Sequence, residues 1–562
     1  MKVVIVGGVA GGATAAARLR RLDEHAEIII FEKSGFVSYA NCGLPYFIGG
    51  VIQEEEALTL QTPDNFKRRF LIDVKVRHQV IKIHKEKKEV SVLNLETGEV
   101  FQETYDKLIL SPGAKPTLPP LEGKDLQEVF TLRTVEDTLK IHQYVKENQP
   151  KSVVIAGGGF IGVEVAENLC ELGLDVTIVQ SQPQLMAPLD GEMAAFLHAK
   201  MRSHGIKLVF GKYVTGIQKA ENGIEAVLQG GALIQADMVI LAIGVTPDTE
   251  LAKEAGLELG LRGSIIVNDK METSENDIYG VGDAVQVKHY ITGEDALISL
   301  AGPANKQGRI VADNICGLNS RYKGSQGSSV LKLFDMTMAT TGINEKTAKS
   351  LGLQYDKIYL SPGSHAGYYQ GSTVMTMKVI FDKNNFKILG AQIVGYDGVD
   401  KRIDVLATAM HMNMSALQLK DLDLAYAPPY SSAKDPVNMA GFMIENIANC
   451  TLKQFFIEDV ADLPRDGSVT LLDTRTRGEY ASGHFEGFFN IPVDDLREQI
   501  HTLDSSKPIY VNCQSGLRSY IACRILMQYG FNAYNFSGGY RLYATVKADQ
   551  LASKTSQPCG KE

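Results

Sequence analysis

Two strand–glycine turn–helix units, one at the N-terminus and one beginning near residue 152, commit this chain to a parallel α/β architecture built twice. In the first unit, residues 3–6 read as a buried strand. Gly7-Gly8-Val9-Ala10-Gly11-Gly12 is the turn, and residues 13–22 follow as a helix. The next strand, residues 27–31, ends in Glu32. Such a turn lets backbone N–H groups approach a pyrophosphate at a helix N-terminus, and the acid accepts from a ribose hydroxyl. The pattern departs at Val9, where a middle glycine is expected. The second unit is complete: strand 152–156, then Gly157-Gly158-Gly159-Phe160-Ile161-Gly162, helix 163–172 and strand 175–179. That strand ends at Gln180, without the acid usual for NAD. Ser181-Gln182-Pro183 carries no Arg for a 2′-phosphate, so NADH is expected, with NADPH admitted. A further strand, 238–243, runs into Gly244.

The first unit leads into Ser38-Tyr39-Ala40-Asn41-Cys42-Gly43-Leu44-Pro45-Tyr46. Asn41 is suited to cap a helix starting at Cys42, and Pro45 fits a first turn. A helix start favours the thiolate, the reactive form of cysteine. A lone cysteine is most often a small buried hydrophobe, so context decides. Arg18, Arg20 and Arg21, with Lys67, Arg68 and Arg69, lie close in sequence to Cys42. Runs of charge usually coat a solvated helix face. In a chain of net charge -9, next to such a cysteine, they suggest a phosphate-rich anionic substrate. Ser111-Pro112-Gly113 breaks an apolar strand and closes the first nucleotide unit. Gly282-Asp283-Ala284 ends a short strand and can aim the Asp283 carboxylate at a sugar-like hydroxyl.

A length of 562 residues suggests three or four domains. No apolar run reaches the ~20 residues that span a bilayer. Met1 leads straight into an apolar strand rather than a charged segment, so a cytoplasmic protein without membrane contact is expected. Seven scattered cysteines without a CxxC pair argue against a disulfide framework or a metal site. The acidic balance argues against nucleic acid.

Residues 1 to about 445 resemble the two-dinucleotide flavoprotein disulfide reductases. The glycine turn, Gly-Asp-Ala and the second G-x-G-x-x-G occur in that family's order. The resemblance implies FAD on Gly7, Gly8, Ala10, Gly11, Gly12, Glu32, Lys33, Ser111, Pro112, Gly113, Gly282 and Asp283. It implies a nicotinamide coenzyme on Gly157, Gly159, Phe160, Ile161, Gly162, Gln180 and Gly244. Cys42 has no second cysteine close by, as in the single-cysteine branch. The Ser-x-x-Asn-Cys-Gly-x-Pro-Tyr pattern is similar to coenzyme A-disulfide reductases and the related persulfide reductases. Coenzyme A is then the expected substrate, held by Arg18, Arg21, Ser38, Asn41, Lys67, Arg69, Asn305, Lys306 and Arg309. NADH oxidases and peroxidases of this branch support a cysteine sulfenate with a His in the first turn; Ala10 stands there here, which leaves that activity as the alternative. The resemblance also implies a homodimer. Tyr368 and Tyr426 would then reach the cysteine from the partner subunit, with Tyr369 open in place of Tyr368.

The last part is a separate α/β module after a linker near residues 449–454. A strand delivers Asp473-Thr474-Arg475, followed by Glu479, Gly483 and His484. Another strand delivers Cys513-Gln514-Ser515-Gly516-Leu517-Arg518 before a helix over 520–529. A strand–Cys–loop–Arg–helix arrangement builds a nest of N–H groups around one sulfur. The module resembles a rhodanese domain. Its loop is one residue shorter between Cys and Arg than in cysteine phosphatases, which favours sulfur over phosphate and makes Cys513 and Arg518 candidate catalytic residues. The expected α/β organisation is an FAD domain (1–115 and 245–325), a nicotinamide domain (116–244), a dimerisation domain (326–447) and a rhodanese domain (455–550). The function implied is FAD- and NAD(P)H-dependent reduction of coenzyme A persulfide or disulfide, coupled to sulfurtransfer. A redox-sensing scaffold is the non-catalytic alternative.

Overall fold

The computed structural model describes residues 1–555, which fall into two compact units. The first unit, residues 1–183 and 205–327, holds two five-stranded parallel sheets. In one, Lys2–Val6 lies between Lys107–Leu110 and Glu27–Glu32, with Ile278–Gly280 and Asp73–Val76 at the edges. In the other, Ser152–Ala156 lies between Asp175–Gln180 and Met238–Leu241, with Lys207–Phe210 and Val129–Thr131 outside. Val3, Val4 and Ile5 are fully buried, as are Ile155 and Ile240. Parallel strands covered on both faces need such unbroken apolar runs.

Each central strand feeds a glycine turn and a helix, Ala10–Leu22 and Phe160–Glu171. Both helices begin three residues earlier than the sequence pattern suggests, because the turns tighten directly into the first helical turn. A Cβ on Gly12 would lie 2.0 Å from the Gly7 carbonyl oxygen, and one on Gly162 would lie 2.1 Å from that of Gly157. Val9 has φ -99°, so the missing middle glycine imposes no backbone strain. Gly308 of the Ala301–Ile315 helix crosses the first helix closely; a Cβ there would sit 2.4 Å from the Gly11 carbonyl oxygen.

The second unit, residues 184–204 and 328–555, joins a five-stranded antiparallel sheet, a parallel sheet and flanking helices. The antiparallel sheet runs Ser329–Leu333, Met336–Gly342, Ile388–Gly395, Thr376–Asp382, Tyr355–Leu360. The parallel sheet has Ile509–Asn512 between Ala533–Phe536 and Thr470–Asp473. The C-terminal module is less separate than its sequence suggests. Lys357 of the antiparallel sheet pairs with Glu458 at 2.5 Å, and Ser537 Oγ accepts from the Tyr359 N–H at 3.2 Å. Asp549 of the last helix, Gly539–Thr555, reaches His198 at 2.8 Å on the Gly191–Ser203 helix.

Candidate functional site

A cavity of about 720 Å³ opens on the first glycine turn, within the usual size of a cofactor site. Gly7, Gly11, Glu32, Ser111, Gly113, Gly282, Asp283 and Asn41 are among its lining residues. Glu32 is buried; it accepts from the Gly8 N–H and from the Ser34 N–H, each at 2.8 Å. Burial nonetheless pushes its carboxyl up. Ser111 Oγ accepts from the Gly12 N–H at 3.0 Å. Gly282 has φ +80° and donates to Gln307 Oε1 at 2.7 Å. Lys33 pairs with Asp248 at 2.7 Å, and Asp283 is held by Arg133 at 2.6 Å. The residues fit FAD on an observation of unmet polarity. Asn41 Oδ1 and Glu136 Oε2 are buried acceptors without a hydrogen-bond partner, and both residues line the cavity. Hydroxyl-rich ligands supply such donors.

Cys42 follows Asn41 on an exposed single turn, Asn41–Gly43, that runs into the five-residue helix Leu44–Ile48. The expected Asn41 cap is not formed. Ala40 occupies the cap position, the turn is a tight 3₁₀ turn, and no side chain caps it. Pro45 does sit in the first turn of the short helix. One such turn is too short to stabilise a thiolate by its dipole. Instead, burial and then the Glu164 carboxylate push the Cys42 thiol up, with Arg133 opposing them. Glu164 is itself raised to about 7, by burial and by Glu167.

The expected phosphate contacts divide. Arg20 is structural: it is buried and donates to the carbonyls of Ala26, Phe70 and Leu71. That brings the end of the Pro63–Phe70 helix, which carries Lys67 and Arg69, against the first helix. Arg18 is committed to Asp313 at 2.7 Å, a partly buried pair, so it is not a free cation. Lys67 pairs with Asp73 at 2.5 Å, but both side chains are about half exposed, and such pairs exchange readily. Asn305 takes a 2.5 Å hydrogen bond with Thr14. Arg21, Arg69, Lys306 and Arg309 are exposed. Ser38 adopts φ +49° and donates its N–H to the Gly8 carbonyl, which fixes the cysteine segment to the glycine turn.

At the second glycine turn, Gly159 caps the Phe160–Glu171 helix, which includes Ile161. Gln180 Oε1 accepts from the Gly158 N–H at 3.3 Å, the place an acid would take. Gly244 has φ +119°, and its carbonyl accepts from Thr117.

In the second unit, the hydroxyls of Tyr368 and Tyr426 are 2.5 Å apart, and both rings are exposed. The hydrogen bond between Tyr426 and Tyr368 raises Tyr426. Tyr369 instead packs edge-on against His365, with ring centres 5.8 Å apart. Buried Arg402 ties the two tyrosine-bearing segments together. Its Nη2 donates to the Ser364 and Tyr430 carbonyls and to Asp435 at 2.9, 3.3 and 3.0 Å. Sequence reasoning missed Arg402, Arg133 and Glu164, none of which belongs to a local motif.

Cys513 ends the strand Ile509–Asn512 and is fully buried. Its sulfur receives the Gly516 N–H at 3.1 Å and the Ser519 hydroxyl at 3.2 Å. The Leu517–Gln528 helix starts inside the loop, three residues earlier than expected, because Gly516 takes φ +94° and closes the turn. A Cβ on Gly539 would lie 2.6 Å from the Gln514 carbonyl oxygen, so the next helix backs the loop. Arg518 forms a fork with Glu479 at 2.8 and 2.7 Å. Arg475 forms another with buried Asp473. Cys523, in contrast, is a fully buried thiol pushed far up by burial.

Two nucleotide folds, one exposed cysteine next to a cofactor-sized cavity and a second sulfur held in its own loop define a nucleotide-dependent redox protein with a sulfur-handling module. Residues 1–308 match the family model for pyridine nucleotide-disulphide oxidoreductases, and residues 328–436 match that family's dimerisation domain. Residues 456–545 match the rhodanese-like domain. Coenzyme A disulfide reductase of Staphylococcus aureus (strain bovine RF122 / ET3-1) is 39% identical over 442 residues, 78% of this chain and 99% of the relative. The crystal structure of reduced Bacillus anthracis CoADR-RHD superposes with a TM-score of 0.95 at 48% identity, covering 98% of each chain. A NAD-dependent persulfide reductase from A. fulgidus gives 0.91 at 36% identity, over 97% of this chain and 100% of that one. The chain belongs to the pyridine nucleotide-disulphide oxidoreductase family.

Proposed function

We propose that the protein is a flavoprotein reductase of coenzyme A persulfide or disulfide, coupled to a rhodanese sulfurtransferase module. The observation that carries this is Cys42, a free thiol on an exposed turn directly after the cavity residue Asn41. FAD fits the first cavity, and NADH the second glycine turn. Bound there, the flavin would take electrons from the nicotinamide and return a disulfide on Cys42 to the thiolate.

The chain's own residues supply the rest. Cys42 thiolate attacks the inner sulfur of a coenzyme A persulfide. The S–S bond breaks, hydrosulfide leaves, and Cys42 is joined to coenzyme A as a mixed disulfide. With coenzyme A disulfide the same attack expels coenzyme A thiolate. Two electrons and a proton then release coenzyme A thiol. Tyr426, kept protonated by its bond to Tyr368, is suited to donate a proton to leaving sulfur. In a homodimer this pair would come from the partner subunit. Arg21, Arg69, Lys306 and Arg309 are the exposed cations for the phosphates. No helix among the described residues is long and apolar enough to cross a membrane. Ala10, in place of a sulfenate-supporting His, disfavours peroxide or oxygen as substrate. The test is NADH consumption on coenzyme A persulfide, coenzyme A disulfide, peroxide and oxygen, where the coenzyme A substrates should dominate.

A further inference from the structure

The charges around Cys513 bear on which sulfur donor the module accepts. Arg518, in the loop itself, has both guanidinium nitrogens on Glu479. The same hydrogen bonds hold Glu479 at about 2, so it stays ionised at ordinary pH. Arg475 has Nε and Nη2 on the Asp473 carboxylate and Nη2 also on the Gly483 carbonyl. Arg541 meets the loop through its backbone N–H on the Gln514 carbonyl, while its guanidinium lies 5.5 Å from the Phe196 ring centre. The two guanidiniums of the loop are therefore neutralised by two carboxylates, and a Cys513 thiolate leaves the group with a net negative charge. Beside it, the rim is apolar: Leu517 is 64% exposed and Ile521, one helical turn on, is 42% exposed.

We propose that this loop takes sulfane sulfur from alkyl persulfides and rejects thiosulfate, with Glu479 and Asp473 as the specificity-determining residues. This rests on the reading that Cys513 carries sulfane sulfur. In the step, Cys513 thiolate attacks the outer sulfur of R–S–SH, the S–S bond breaks, and the thiolate RS⁻ leaves. The proton stays on the transferred sulfur, giving Cys513–S–SH. The same attack on thiosulfate brings a dianion to a negative site and must release sulfite as a dianion, with no free guanidinium to receive it. Unpaired like charge at such a contact is strongly disfavoured. The apolar rim suits the carbon chain of a thiol and offers nothing to an oxyanion.

The experiment uses the full-length holoenzyme without NADH, glutathione persulfide or thiosulfate as donor, cyanide as acceptor and thiocyanate as readout. Cys513→Ser supplies the background. Wild type should favour the persulfide over thiosulfate by at least about tenfold in kcat/KM. Glu479→Gln frees Arg518 while its amide can still close the capping box with Thr476; the thiosulfate-to-persulfide ratio should rise several-fold. Gln514→Arg adds an uncompensated cation and should raise the same ratio. A gain on thiosulfate cannot come from misfolding, which would lower both donors. Comparable use of both donors by wild type, or an unchanged ratio in both variants, would overturn the assignment. Transfer from neither donor above the Cys513→Ser background would remove the sulfur-carrying reading itself, and the proposal with it.

Discussion

Replacing Lys378 with Met should destabilise the second unit strongly and in a pH-dependent way. Lys378 sits in the strand Thr376–Asp382 and is 0% exposed. Its ammonium contacts Asp190 at 2.7 Å, Glu345 at 2.5 Å and also Glu192, so it joins the Gly191–Ser203 helix to the antiparallel sheet. These three carboxylates gather within 4.8 Å of one another, an arrangement that could also hold a metal; Lys378 supplies the counter-charge. Burial works against ionised Glu345, yet Lys378 and Lys357 hold it down at about 2. Removing one partner of a buried ion pair costs about 3–5 kcal/mol. Protonation limits the penalty: neutralising one glutamate of ordinary pKa costs about 3.7 kcal/mol near pH 7 but only about 1.6 kcal/mol near pH 5.5. A depressed carboxylate stabilises the fold above its unfolded pKa, and that stability is lost as pH falls toward the folded value. Wild type therefore loses this contribution between about pH 4.5 and 2, whereas the deficit of the variant should narrow already on going from pH 7 to 5.5. For a unit of this size, the deficit corresponds to a melting temperature lower by about 6–10 °C near pH 7. Thermal melts by circular dichroism at the two pH values measure both quantities. A shift under about 3 °C, or a deficit that does not change with pH, would refute the charge argument.

Four further outcomes are expected. Glu164→Gln should lower the pH midpoint of Cys42 alkylation by about half a unit or more, with the effect fading below pH 7, where Glu164 of wild type is already protonated; an unshifted iodoacetamide profile would contradict this. Gly12→Ala places a Cβ 2.0 Å from the Gly7 carbonyl oxygen and should weaken FAD retention at least about tenfold, read as bound flavin per chain. Cys513→Ser should lose sulfurtransfer to cyanide but keep NADH-driven reduction of coenzyme A disulfide; loss of both, with flavin intact, would make the two cysteines an obligatory relay. Gln180 offers no 2′-phosphate clamp, so NADH should serve at least as well as NADPH in kcat/KM, and a clear NADPH preference would count against that reading.

The parts of the molecule written in local chain geometry were legible in the sequence. Gly7, Gly12, Gly157 and Gly162 announce their turns because only glycine survives the carbonyl contacts there. Cys513 to Arg518 announces its loop for a similar reason. At Asn41 a cap motif and a 3₁₀ turn use the same residues, and the folded chain takes the turn. Arg18 looked like a phosphate ligand because its partner, Asp313, lies on a helix far along the chain. Nothing local to Lys378 signals its buried role, which depends on its strand being buried along almost its whole length. Arg133 and Glu164 acquire their influence on Cys42 only when separate parts of the chain meet.

The role of Cys42 is tested most directly by comparing wild type and Cys42→Ser in NADH consumption with coenzyme A persulfide as substrate, on preparations matched for bound flavin. Wild type should turn over and release sulfide. The variant should retain FAD and show no substrate-dependent NADH consumption. Turnover by Cys42→Ser at the wild-type rate would contradict a mechanism that runs through this thiol.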